Sequence, residues 1–89
     1  MPTWELYAKG RVQGVGFRYF IWNLASELGI KGYVRNQWDG TVKIVAQTDE
    51  NTFESFMHRV AEGNKYALVK KLEINKLDSD EEYNDFEIK

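Results

Sequence analysis

From Trp4 to Val12 the chain alternates, with Trp4, Leu6, Ala8, Gly10 and Val12 on one face and Glu5, Tyr7, Lys9 and Arg11 on the other. A period of two predicts a half-buried strand. The spacing then changes, and Phe17, Ile21, Leu24, Ala25 and Leu28 recur at i, i+4, i+7, i+8 and i+11. That is one stripe of a helix over Phe17 to Leu28, with Gly29 as its stop. Ile30 to Arg35 reads as strand again, Asn36 to Gly40 as a turn, and Thr41 to Gln47 as a second strand of the pair with Val42, Ile44 and Ala46 on one face. Turn residues between two such runs predict a hairpin. Thr48 or Asp49 caps a second helix whose stripe is Phe53, Phe56, Met57, Val60 and Ala61 and whose end is Gly63. Ala67 to Leu77 reads as a fourth strand, with Leu72 and Ile74 on one face and Val69 and Leu77 on the other. Asp78 to Glu82 is an acidic, solvated loop, and Phe86 and Ile88 alternate in a short last strand. The order is βαββαβ plus a C-terminal strand, an α+β chain with two helices covering one face of a mainly antiparallel sheet.

Composition narrows the class. A length of 89 residues and an apolar content of 43% suit one domain over residues 1–89, burying roughly 60–65% of the surface its unfolded chain exposes. There is no cysteine, hence no disulfide, thiolate nucleophile or thiolate metal ligand. Met1 to Glu5 lacks the basic and apolar regions of a signal peptide, and no run approaches the ~20 apolar residues of a membrane span. The expectation is a cytoplasmic monomer with no membrane partner. Twelve basic against 14 acidic residues, net −2, argue against a nucleic-acid partner held by bulk charge. Against that balance, Arg11, Arg18 and Arg35 stand out beside the two turns that follow.

The segment from Gly10 to Arg18, Gly-Arg-Val-Gln-Gly-Val-Gly-Phe-Arg, lies between the first strand and the first helix. Glycine loses the most freedom on folding and is worth keeping where the backbone turns through positive φ or approaches a ligand. Such a turn gathers N–H groups into one concavity, and the helix start adds unpaired N–H groups and the positive end of the dipole. Arg18 in that first turn opposes the dipole by roughly 0.3–1 kcal/mol, so an anion beside it is expected. Its planar fork suits two oxygens of a phosphate or carboxylate. The plainer alternative is a glycine-rich loop whose solvated Arg18 reaches back to Glu5 or Glu27. Other phosphate motifs do not fit: the chain has no Gly-Lys-Ser/Thr, and Tyr19 stands where a dinucleotide fingerprint needs glycine.

Taken alone, Val34 to Val42 puts an Asn at one strand end and a Thr at the start of its partner, which is ordinary turn usage. The combination says more. Gly10 to Arg18, followed 17 positions on by Arg35-Asn36-x-x-Asp39-Gly40-Thr41-Val42, closely resembles the two signature segments of the acylphosphatase family, over nearly the whole chain. The resemblance implies a ferredoxin-like fold and hydrolysis of the carboxyl-phosphate anhydride of a small acyl phosphate, without metal or cofactor. It implies that the backbone of Gly14, Val15, Gly16, Phe17 and Arg18 and the guanidinium of Arg18 hold the phosphoryl group, that Asn36 positions the attacking water, and that Thr41 supports the Asn. Many relatives carry a glycine where this chain has Gln47-Thr48 and a Gly-Pro where it has Gly63-Asn64; neither departure is expected to touch the site.

No general base accompanies these residues. His58 falls at the edge of the second helical stripe and Asp39 follows turn chemistry, so the substrate's own phosphate oxygen is the expected proton acceptor. Rival readings on the same fold are a ligand-sensing or carrier-protein maturation domain without catalysis, and an RNA-recognition domain. The second is disfavoured because Gly16-Phe17-Arg18-Tyr19-Phe20 lies at a loop and helix start and not across a central strand. Trp38 sits at a loop tip, while Trp4 and Trp22 suit the edge of a core.

Overall fold

Alternation and helical spacing become seven elements in the computed structural model, which describes residues 1–89. These are β1 (Thr3–Arg11), α1 (Phe17–Leu28), β2 (Lys31–Asn36), β3 (Val42–Gln47), α2 (Glu50–Glu62), β4 (Leu68–Leu77) and β5 (Phe86–Ile88). The expected βαββαβ order with a short extra strand is therefore observed. The strands form one sheet in the order β4-β1-β3-β2-β5. β1 is antiparallel to β3 and β4, β2 is antiparallel to β3, and only β5 joins parallel, beside β2.

That pairing positions everything that follows. β1 and β2 both run against β3, so they run the same way and their C-terminal ends emerge at one end of the sheet; β5 ends there too. Leu6 and Ala8 of β1, Val34 of β2, and Val42, Ile44 and Ala46 of β3 point to the face covered by Phe17, Ile21, Leu24 and Ala25 of α1 and by Phe53, Phe56 and Val60 of α2. Trp4 stacks on Phe53 with ring centroids 4.1 Å apart and planes 8° from parallel. Asp49, and not Thr48, caps α2: its carboxylate accepts from the Thr52 N–H at 2.8 Å and the Thr52 hydroxyl at 2.9 Å. Ala61, placed on the stripe by spacing, is exposed, because it lies about 100° around the helix from buried Val60.

The face assignment of β4 needs correction. Between Lys9 and Gly10 the β1–β4 register shifts, so that Lys9 opposes Lys71 but Gly10 opposes Val69, leaving Lys70 as an extra residue. A bulge of this kind reverses the alternation on either side of it. Val69 and Leu72 consequently share the helix-covered face and both pack on the core, where strict alternation had separated them. Gly10 belongs to this bulge: its φ is 129°, and a Cβ there would meet the Leu68 carbonyl oxygen at 2.3 Å.

The acidic stretch before β5 is anchored as well as solvated. Gln47 Nε2 donates to the Thr3 hydroxyl at 3.0 Å and to the Glu81 carbonyl at 2.8 Å, and its Oε1 accepts from the Tyr83 N–H at 3.2 Å. A glycine at position 47 would supply none of these bonds.

Gly10→Ala should lower unfolding free energy in urea by about 2–4 kcal/mol, the range of a strained backbone with a steric clash. Gly14→Ala, whose Cβ would meet nothing within 4 Å, should cost only about 1–2 kcal/mol for its left-handed φ. Equal, small losses at both positions would refute the bulge argument.

Candidate active site

The loop leaving β1 turns twice through left-handed glycines, Gly14 at φ 74° and Gly16 at φ 75°, before α1 begins at Phe17. Gly16 is the helix cap and offers no side chain, and the first turn of α1 has no acidic residue. The main-chain N–H groups of Gly14, Val15, Gly16, Phe17 and Arg18 find no acceptor within the protein. Those of Phe17 and Arg18 are donors that a helix start leaves unpaired, and those of Gly14 and Val15 belong to the loop before its cap. Together with the dipole they make a concavity of positive potential suited to an oxyanion.

Arg18 turns toward the same place. Its Nη1 donates to the main-chain oxygen of Lys89 at 3.0 Å, which restrains the guanidinium against the end of β5. The alternative partners are taken elsewhere: Glu5 pairs with Lys43 at 3.8 Å and Glu27 with Arg59 at 3.9 Å. Gly14, Gly16, Phe17, Arg18 and Asn36 line one pocket of about 190 Å³, completed by Val12, Tyr19 and Ile88. Small-molecule pockets usually run from about 300 to 1,000 Å³, so this one fits a compact head group and not a nucleotide. Val12 and Phe17, each 1% exposed, close its base; Tyr19 and Ile88, 62% and 42% exposed, stand at its mouth.

Asn36 is the last residue of β2 and lines the same pocket as the glycine loop. Its Oδ1 is buried and has no hydrogen-bond partner. A buried acceptor left unmade costs about 1–3 kcal/mol, so such groups need a reason.

The distance between the two halves is set by Gln13, whose Nε2 donates to the carbonyls of Gln37 and Thr41, both at 2.9 Å. One amide thereby ties the glycine loop to the turn after Asn36. Thr41 works on that turn and not on the Asn directly. Its hydroxyl donates to Asp39 Oδ1 at 2.6 Å, its N–H donates to the same oxygen at 3.1 Å, and its carbonyl accepts from the Gln37 N–H at 2.8 Å. The bonds from Thr41 hold the Asp39 carboxyl below the usual carboxylate range. Asp39 therefore stays an acceptor at neutral pH, and the turn loses this clamp only as pH falls through that lowered value.

The other residues singled out in the sequence lie outside the pocket lining. Arg11 is exposed, and Arg35 bonds Gln37 Oε1 at 3.1 Å with its guanidinium over Tyr33. His58 is exposed on α2. Trp38 is fully exposed at the hairpin tip, whereas Trp4 packs on Phe53 and Trp22 donates from Nε1 to the Phe86 carbonyl at 3.0 Å. No group of three or more His, Cys, Asp or Glu side chains is placed to hold a metal ion, and no helix is long and apolar enough to cross a membrane. Asn64, by contrast, does reach the loop: its Nδ2 donates to the Val15 carbonyl at 3.0 Å. The expectation that the Gly63-Asn64 departure leaves the site untouched is overturned by that bond. Gln13 carried a signal, a polar residue inside the glycine motif, but nothing local marked Asn64, Ile88 or Lys89.

Known proteins share both the sequence and the architecture. The family model for acylphosphatase matches residues 4–88. An acylphosphatase of Archaeoglobus fulgidus is 48% identical over 88 residues, covering 99% of this chain and 98% of its own. The crystal structure of acylphosphatase from Bacillus subtilis superposes with a TM-score of 0.95 at 36% identity, covering 99% of this chain and 98% of that one. Full-length HypF, in a phosphate- and nucleotide-bound form, matches with a TM-score of 0.89 at 30% identity, over 98% of this chain but 11% of its own. On matches of this extent in sequence and in fold, the chain belongs to the acylphosphatase family of enzymes.

Proposed function

We propose that the pocket binds the phosphoryl group of a small acyl phosphate and hydrolyses it to a carboxylate and inorganic phosphate. The observation that carries this reading is the convergence of Asn36, Arg18 and the glycine loop with its free N–H groups on one small pocket, with Asn36 Oδ1 left without a partner. The amides and the Arg18 guanidinium take the phosphoryl oxygens, where negative charge gathers in the transition state. Asn36 Oδ1 accepts a hydrogen bond from a water and aims its lone pair at phosphorus, in line with the acyl oxygen. The water oxygen bonds to phosphorus, the P–O bond to the acyl group breaks with its electron pair leaving on the carboxylate, and one water proton passes to a phosphoryl oxygen.

The scissile bond makes this machinery sufficient. A carboxylate leaves without protonation, so no general acid is required, and catalysis reduces to positioning and preorganised electrostatics. The exposed position of His58 agrees with a proton acceptor on the substrate itself. The acyl carbons extend past Tyr19 and Ile88, the apolar part of the mouth. A small-molecule substrate and a cytoplasmic monomer without nucleic-acid or membrane partners complete the proposal.

Phosphate release from a simple acyl phosphate, measured in chelator, tests it; no release by the folded protein would refute it. Arg18→Lys should lower kcat/KM about ten- to hundredfold, the loss of one charge-assisted bond, because a point charge replaces a fork. Asn36→Ala should lower kcat by about 10²–10³ with the fold intact. Normal turnover by folded Asn36→Ala would remove Asn36 from the mechanism. Gln13→Ala should reduce kcat about tenfold while competitive inhibition by inorganic phosphate changes less than about twofold, because it disturbs the loop-to-Asn36 distance and leaves the loop's own donors in place. Equal losses in both readouts would contradict that role.

A further inference from the structure

The free N–H groups of the glycine loop need their peptide planes held, since a flexible loop would spend its affinity on ordering itself. Gly14 and Gly16 give the loop its path but carry no side chain that could fix it. The planes must be held from outside, through the loop's carbonyls.

One carbonyl is held in this way. Asn64, in the connection from α2 to β4, donates from Nδ2 to the Val15 oxygen at 3.0 Å, and its Oδ1 accepts from the Ala67 N–H at 2.8 Å. The two contacts admit a single orientation of the carboxamide, because its acceptor end faces a donor and its donor end faces an acceptor. In a trans peptide the carbonyl and the following N–H point in opposite directions. Fixing the Val15 carbonyl toward Asn64 therefore turns the Gly16 N–H away from the α2–β4 connection and toward the pocket that Gly16 lines. Polarisation along such a chain of bonds also strengthens the N–H as a donor.

We infer that Asn64 is a positioning residue: it touches no substrate, but it locks the Val15–Gly16 peptide so that the Gly16 N–H is presented to a bound phosphoryl oxygen. The inference rests on the anion-site reading of the loop and adds to it a residue 49 positions away in the chain.

Backbone amide NMR with inorganic phosphate as the probe tests this. In the wild-type chain, phosphate should shift the amide signals of Gly14 to Arg18. In Asn64→Ala the phosphate Kd should rise about threefold to tenfold, the weight of one hydrogen bond, and the phosphate-induced shift of Gly16 should shrink while those of Phe17 and Arg18 persist. Asn64→Asp keeps the acceptor for Ala67 but sets a carboxylate oxygen against the Val15 carbonyl where a donor stood. Measured in high salt to screen its added charge, it should show the same selective loss at Gly16. An unchanged Kd in Asn64→Ala, or a loss spread evenly over Gly14 to Arg18 in step with a lower Tm, would overturn the inference and leave the anion site standing. A wild-type chain whose amides ignore phosphate would remove the anion site itself, and this inference with it.

Discussion

A short row of main-chain N–H groups without acceptors is the constraint that organises this molecule. The N–H groups from Gly14 to Arg18 have no acceptor in the protein, and they lie beside a helix start whose dipole adds to their field. The rest of the local structure keeps them that way. Two left-handed glycines give the path, buried Val12 and Phe17 pin its ends, and no acidic side chain folds back to neutralise it. Donors held open in advance need little reorganisation when charge develops beside them, which is why main-chain amides serve so well at phosphoryl groups.

The sheet supplies what the loop cannot. Because β3 lies between β1 and β2 and runs against both, the exit of β1 and the last residue of β2 arrive side by side. Asn36 faces the loop for that topological reason. β5, parallel to β2, ends at the same place and contributes Ile88 to the pocket, and the main-chain oxygen of Lys89 just beyond it accepts from Arg18. A pocket at the carboxyl ends of neighbouring strands thus follows from strand order and direction.

Periodicity made most of the fold legible, since each stripe and each alternating run reports which side of one element is buried. It failed where a neighbour imposed an irregularity: the bulge opposite Gly10 moved Val69 to the face of Leu72, a change visible only once β1 and β4 are paired. That Arg18, Asn36 and the glycine loop meet in one pocket was legible because they lie in short, unusual segments. Gln13, Asn64 and Lys89 act across 24 to 71 positions, through contacts that register and loop closure create. Thr41 was expected to support Asn36, but its hydroxyl bonds Asp39, an outcome of turn geometry that residue type alone does not specify.

The bond from Arg18 to Lys89 also bears on the order of events in folding. It joins segments 71 positions apart through a three-residue strand at the edge of the sheet, the shortest strand and the one with the fewest ladder bonds to hold it. The other four strands and both helices can be in place while this short edge strand still frays. Assembly of the guanidinium clamp is then a final step, distinct from collapse of the core. Under gentle denaturation, catalytic competence should fade before helicity does, which makes turnover a sensitive gauge of the loosest edge of the molecule.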